Sequence, residues 1–219
     1  MKIAKHPARL LAGILAALLV TGCGIPSQKY AADKKHGVYF TVPYKWHEIS
    51  GASIGKRELL STTTGAAERA ASVLWQEAFS PNSHYGPTDV LNLKAPSSPL
   101  VYVRVRTLLP DEVGVVSYNS LRNIIVPLTT WASGADSTAP LLDVLDDREI
   151  IQKIARGVRT IYSFTEAGKS PQTINQTALV SDDRSTIYVL IVRCTTVCYN
   201  KNEKLLNKIS DSFTVRGTR

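Results

Sequence analysis

The stretch from residue 158 to residue 194 most restricts how this chain can fold. Three runs rich in β-branched and apolar residues, 158–165, 173–181 and 186–194, are separated only by residues 166–172 and 182–185. Connections that short join antiparallel neighbours, because a parallel crossover needs about a dozen residues or more. The last run, TIYVLIVRC, is almost wholly apolar. A strand without a polar face is buried on both, so other elements must cover both sides of the sheet. The expectation is an α+β protein: an antiparallel sheet flanked by helices, layered as an α/β/α sandwich.

The remaining elements are read from period and punctuation. Residues 38–42 (VYFTV) alternate as a strand, stop at Pro43, and are followed by Trp46. Residues 72–79 predict a strand, and residues 101–108 (VYVRVRTL) alternate strictly enough to predict a half-exposed one. Residues 80–99 carry Pro81, Pro87, Pro96 and Pro99 and read as an irregular excursion, with a second polar loop over 127–140. Residues 117–126 read as a short helix capped by Ser117. The strongest helical pattern is 141–155. There Leu141, Val144, Leu145, Ile151 and Ile154 share a face, Asp143, Asp146, Asp147 and Arg148 lie mostly opposite, Pro140 stands at the start and Gly157 past the end. A closing amphipathic helix is expected over 202–212, with Leu205, Leu206, Ile209 and Phe213 inward.

The N-terminus speaks to location. Lys2, Lys5 and Arg9 precede an uncharged apolar run over residues 10–20, with no acidic residue. A membrane-spanning helix needs roughly 20 apolar residues, so this run fits the core of a signal peptide instead. Val20-Thr21-Gly22-Cys23 follows and resembles a lipobox, in which small residues admit the peptidase and the cysteine thiol takes a diacylglyceryl group. The expected division is a signal peptide over 1–22, a lipidated tether over 23–35 and one domain over 36–219. Such a chain would sit at the extracytoplasmic face of a membrane. Three of the 26 Lys and Arg lie before Cys23, and all 18 Asp and Glu follow it, which leaves about +5 after processing. That mild excess suits an anionic membrane or wall polymer, and no dense basic run with interleaved aromatics points to nucleic acid.

Cys194 and Cys198 are the other two cysteines. An exported chain meets an oxidising compartment, so a disulfide joining a strand end to the next helix is the first reading. A metal site would need further Cys or His nearby, and a redox pair usually has two intervening residues, not three.

Two segments resemble the PsbP-like family. Phe40-x-x-Pro43-x-x-Trp46, within VYFTVPYKWHEIS, is similar to its opening, and Ile209-x-x-Ser212-Phe213, within NEKLLNKISDSFTV, to its closing helix. The resemblance implies the same α+β fold, shared by secreted bacterial lipoproteins, and structural roles for Phe40, Pro43, Trp46, Ile209, Ser212 and Phe213.

Candidate chemistry is sparse. Gly51-Ala52-Ser53-Ile54-Gly55 matches G-x-S-x-G, but a nucleophile elbow needs an acid and then a histidine downstream, and only His84 follows Ser53. The glycines read more simply as turn residues. His36, His47 and His84 show no helical ligand spacing, so no metal or cofactor is expected. Asp146-Asp147 and Asp182-Asp183 read as solvated pairs, and Asn175-Gln176-Thr177 fits a glycosylation sequon. Trp75, Tyr85, Tyr118 and Trp131 could line a cleft; Trp131, in a polar loop, is the binding candidate. The function expected is therefore non-enzymatic, with binding of a protein partner, envelope component or small ligand. The alternatives are a carrier of lipid or another hydrophobic molecule and a serine hydrolase using Ser53.

Overall fold

The computed structural model describes residues 26–217. Cys23 and the signal peptide expected over 1–22 lie outside the described residues, among which no helix is long and apolar enough to cross a membrane.

In chain order the elements are β1 (Gln28–Asp33), β2 (Val38–Pro43), β3 (His47–Ile49), α1 (Gly51–Glu58), α2 (Ala66–Ala71), β4 (Val73–Ser80), α3 (Pro87–Leu91), β5 (Leu100–Thr107), α4 (Tyr118–Arg122), α5 (Leu128–Ala132), β6 (Leu141–Ile151), β7 (Ala155–Thr165), β8 (Gln172–Ser181), β9 (Thr186–Thr195), α6 (Thr196–Asp211) and β10 (Thr214–Val215). A seven-stranded sheet runs β3-β4-β5-β9-β8-β7-β6, and a three-stranded one runs β1-β2-β10. Every paired neighbour is antiparallel, and β7, β8 and β9 form the expected meander.

The large sheet is covered on both faces, as its apolar central strand requires. On one face Val101, Val103, Val105, Leu190 and Val192 pack against Phe40 and Val42 of β2 and Leu206, Ile209 and Phe213 at the chain's end. On the other, Tyr102, Tyr162, Ile174 and Val189 pack under Ile54, Val90, Leu121 and Leu128 from the four helices α1, α3, α4 and α5. The fold is α+β with an antiparallel sheet flanked by helices, and the small sheet shares one covering layer with α6.

The residues with expected structural roles hold the first face together. Phe40 meets Phe79 and Phe213 edge-on at centroid separations of 5.9 and 6.3 Å. Trp46 is buried in the same core. Ser212 closes α6 by donating its hydroxyl to the Ile209 carbonyl (2.7 Å), and the same oxygen accepts the Thr41 N–H (2.9 Å).

Three expectations are corrected. Residues 141–155 are not a helix; residues 141–151 form β6, an edge strand paired only with β7. A register shift between Val144 and Asp146 interrupts the two-residue alternation, so apolar residues fall at spacings that mimic a helix face. Leu141, Leu145 and Ile151 are exposed. Gly157 is not a helix stop: it lies within β7, where a Cβ would come 2.0 Å from the Ala178 carbonyl oxygen of β8. The tether expected over 23–35 includes β1, because residues 28–33 pair along the whole of β2 and bury Ala31.

Candidate functional site

Trp131 falls in a stretch whose sequence reads as a polar loop. It lies on α5, its ring tilted over Phe164 at 5.4 Å, so it closes the end of the second core. It also borders an open depression of ≈ 510 Å³ with Asp136, Pro140, Leu141, Thr165 and Glu166. The Thr138 hydroxyl and N–H both donate to Asp136 and hold its pKa below the usual carboxylate value. The other aromatics do not join Trp131 in one cleft. Trp75 packs on the opposite core, the Tyr85 hydroxyl accepts the Ser98 N–H (3.0 Å), and the Tyr118 hydroxyl donates to Glu149.

A second depression, ≈ 430 Å³, opens between α1, α2 and α3. Arg57, Arg69, Ser61, Thr63, Thr88 and Asn92 border it. Arg57 donates to the Thr88 hydroxyl (3.2 Å), and Arg69 donates to the Thr64 carbonyl (2.9 Å) and the Thr63 hydroxyl (3.1 Å). Beneath them Arg104 pairs with Glu58 at 2.8 Å, and the Tyr102 hydroxyl donates to Gln76 at 2.7 Å. Burial pushes the Tyr102 pKa up to about 12. Two guanidinium groups, several hydroxyls and an amide line it together with the Glu58 carboxylate, so donors and an acceptor face the same opening. These residues meet only because three short helices converge, which no local motif encodes.

A third depression, ≈ 550 Å³, lies where β1 begins, lined by Pro26, Ser27, Pro43, Tyr44, Lys45, Trp46 and Pro81.

Ser53 stands in the first turn of α1 rather than on a tight elbow. Ser50 caps the helix by accepting the Ser53 N–H, and the Ser53 hydroxyl donates to the Ser50 carbonyl at 2.8 Å. Gly51 and Gly55 are helical, not turn residues. Gly51 allows α1 to lie on β4, since a Cβ there would come 2.0 Å from the Gln76 carbonyl oxygen. Among the described residues no group of three or more His, Cys, Asp or Glu side chains could hold a metal ion.

Both acidic pairs serve local structure. Asp147 accepts from Arg122 (2.9 Å) and Thr160 (2.9 Å), tying α4 to β6 and β7. Asp182 pairs with Arg156 at 3.2 Å. Hydrogen bonds from Ser181 and Ser185 lower the Asp183 pKa and shape the β8–β9 turn. The sequon asparagine, Asn175, is fully buried: it accepts from Arg159 (3.0 Å) and donates to Tyr199 (2.9 Å) and Asn207 (3.1 Å). Cys194, at the end of β9, and Cys198, in the first turn of α6, form a disulfide with a Cα–Cα distance of 5.9 Å.

No protein-family profile matches the sequence, and no curated relative does. Among solved structures, the chain is similar to cyanobacterial PsbP (CyanoP) from Synechocystis sp. PCC 6803, at 13% identity and TM-score 0.49, over 89% of this chain and 96% of that one. It is similar also to LpqN of Mycobacterium tuberculosis, at 11% identity and TM-score 0.45, over 87% of this chain and 91% of that one. The Ran-binding protein Mog1p of Saccharomyces cerevisiae aligns at 9% identity and TM-score 0.44, over 86% of this chain and 95% of that one.

Proposed function

We propose that the chain is an exported lipoprotein whose folded domain is held at the extracytoplasmic face of a membrane by lipid on Cys23. There it binds a protein, an envelope component or a small ligand and catalyses no reaction. The observation that carries this reading is the order of the N-terminus: basic residues, an apolar run too short to span, then Val20-Thr21-Gly22-Cys23. The Cys194–Cys198 disulfide supports an oxidising destination. The open depressions, rather than a nucleophile with its base, are the features offered to a partner. Two or three acyl chains on one cysteine give an anchorage that a single chain does not.

Fractionation of the wild type beside Cys23→Ala, expressed in a bacterial host with a lipoprotein pathway, tests the reading. The wild type is expected in the membrane fraction and Cys23→Ala outside it. Equal distribution of the two would contradict it. For the catalytic rival, a serine-directed probe is expected to leave Ser53 unlabelled.

A further inference from the structure

The number of residues between Cys23 and β1 limits how far the domain can stand from its anchor, given that Cys23 carries lipid as proposed above. Pro26 is three residues beyond Cys23. A fully extended chain covers at most about 3.3–3.6 Å per residue, so Pro26 lies within roughly 11 Å of the lipidated residue in any conformation of the link. The end of the fold that carries Pro26 therefore faces the bilayer at close range.

That end has a defined surface. Gln28 of β1 stands opposite Pro43 of β2, and the Tyr44 N–H donates to the Ser27 carbonyl at 3.1 Å. His47 of β3 stands opposite Ser80, which brings Pro81 to the same end. Pro26, Tyr44, Lys45 and Pro81 rim the depression of ≈ 550 Å³, and no carboxylate lines it. Tyr44 is 48% exposed and Lys45 points to solvent. The turn that presents them is held from below, since Trp46 is buried in the core and its carbonyl accepts from Lys29 at 2.9 Å. An amphipathic ring suits the headgroup zone of a bilayer, and a lysine suits its phosphates.

We propose that this surface is the membrane-contacting end of the domain, with Tyr44 seated among lipid headgroups and Lys45 against lipid phosphates. The domain then lies on the bilayer in one orientation rather than swinging on a long tether.

Hydroxyl-radical footprinting of the purified lipidated chain in phosphatidylcholine–phosphatidylglycerol vesicles, beside soluble Cys23→Ala, tests this. Leu141, at the opposite edge of the large sheet, is the internal reference. Tyr44 and Pro81 are expected to be labelled several-fold less on vesicles than in solution, with Leu141 unchanged. In the lipidated double variant Tyr44→Ala/Lys45→Glu, Pro81 labelling is expected to return toward its solution level. Intact mass of the same sample separates the two premises. A lipidated chain whose Tyr44 and Pro81 are labelled as in solution overturns this proposal alone. Protection in native membranes but not in vesicles assigns the surface to a protein and overturns the lipid assignment. A chain without lipid on Cys23 overturns the anchoring reading and this proposal with it.

Discussion

Arg193 sits inside the molecule, on β9, and donates to the main-chain carbonyls of Asp89 (2.7 Å), Asn92 (2.5 Å) and Lys94 (3.2 Å). Burial lowers its pKa to about 10, which leaves it charged at neutral pH. One side chain thus organises the proline-rich excursion that sequence punctuation marks only as irregular. Arg193→Met should leave those carbonyls short of partners, cost about 1–3 kcal/mol, and increase proteolysis within residues 92–97. Urea denaturation and limited proteolysis would show both. Glu77 supplies a pH prediction. Burial, then the nearby Glu48, raises its pKa above the ordinary carboxylate value. A group raised in the folded state contributes stability below its unfolded pKa and loses it as pH rises through the folded value. Glu77→Gln should therefore be more stable than wild type at pH 7, by less than about 1 kcal/mol for a site that keeps some contact with solvent, with the difference vanishing in acid. Thermal melts across pH would check it.

Among the elements, the meander from β7 to β9 was legible because its runs are long and its turns short. β6 was not. Its bulge places Leu141, Val144, Leu145 and Ile151 at helix-like intervals, and what makes it a strand is the open edge of β7, which lies outside any local window. Charged residues along this edge strand discourage pairing with another chain. The polar stretch Thr173 to Thr177 is buried in full, since Arg159, Tyr199 and Asn207 arrive from other elements to satisfy Asn175. Gly157 marks close backbone approach, so Gly157→Ala should force β7 from β8 and lower stability by about 1–3 kcal/mol, as overpacking does. The disulfide closes only a short loop at the β9–α6 junction. Replacing both Cys194 and Cys198 with alanine should cost on the order of 2 kcal/mol by the chain-entropy model, read as a lower denaturation midpoint in a still-folded protein.

At the scale of the whole molecule, two-sided burial follows from the apolar β9, and the covering layers follow from the need to bury both faces. The share of one layer taken by the β1-β2-β10 sheet was not legible, because residues 28–33 are polar and small enough to read as a tether. The candidate depressions were harder still to see. Trp131 stands out as an aromatic in a polar stretch, whereas Arg57 and Arg69 become neighbours only through folding. The anchor proposed at Cys23 is the reverse case: it rests on contiguous residues alone and owes nothing to the fold. On the reading proposed above, the domain is delivered to a membrane surface and kept there by Cys23. Mass spectrometry of the N-terminal peptide from membrane-extracted protein reads this out at the residue itself. The expected product is a chain that begins at Cys23 and carries a diacylglyceryl group on that residue. A soluble chain that retains residues before Cys23, or begins elsewhere with an unmodified thiol, would overturn the anchoring at Cys23.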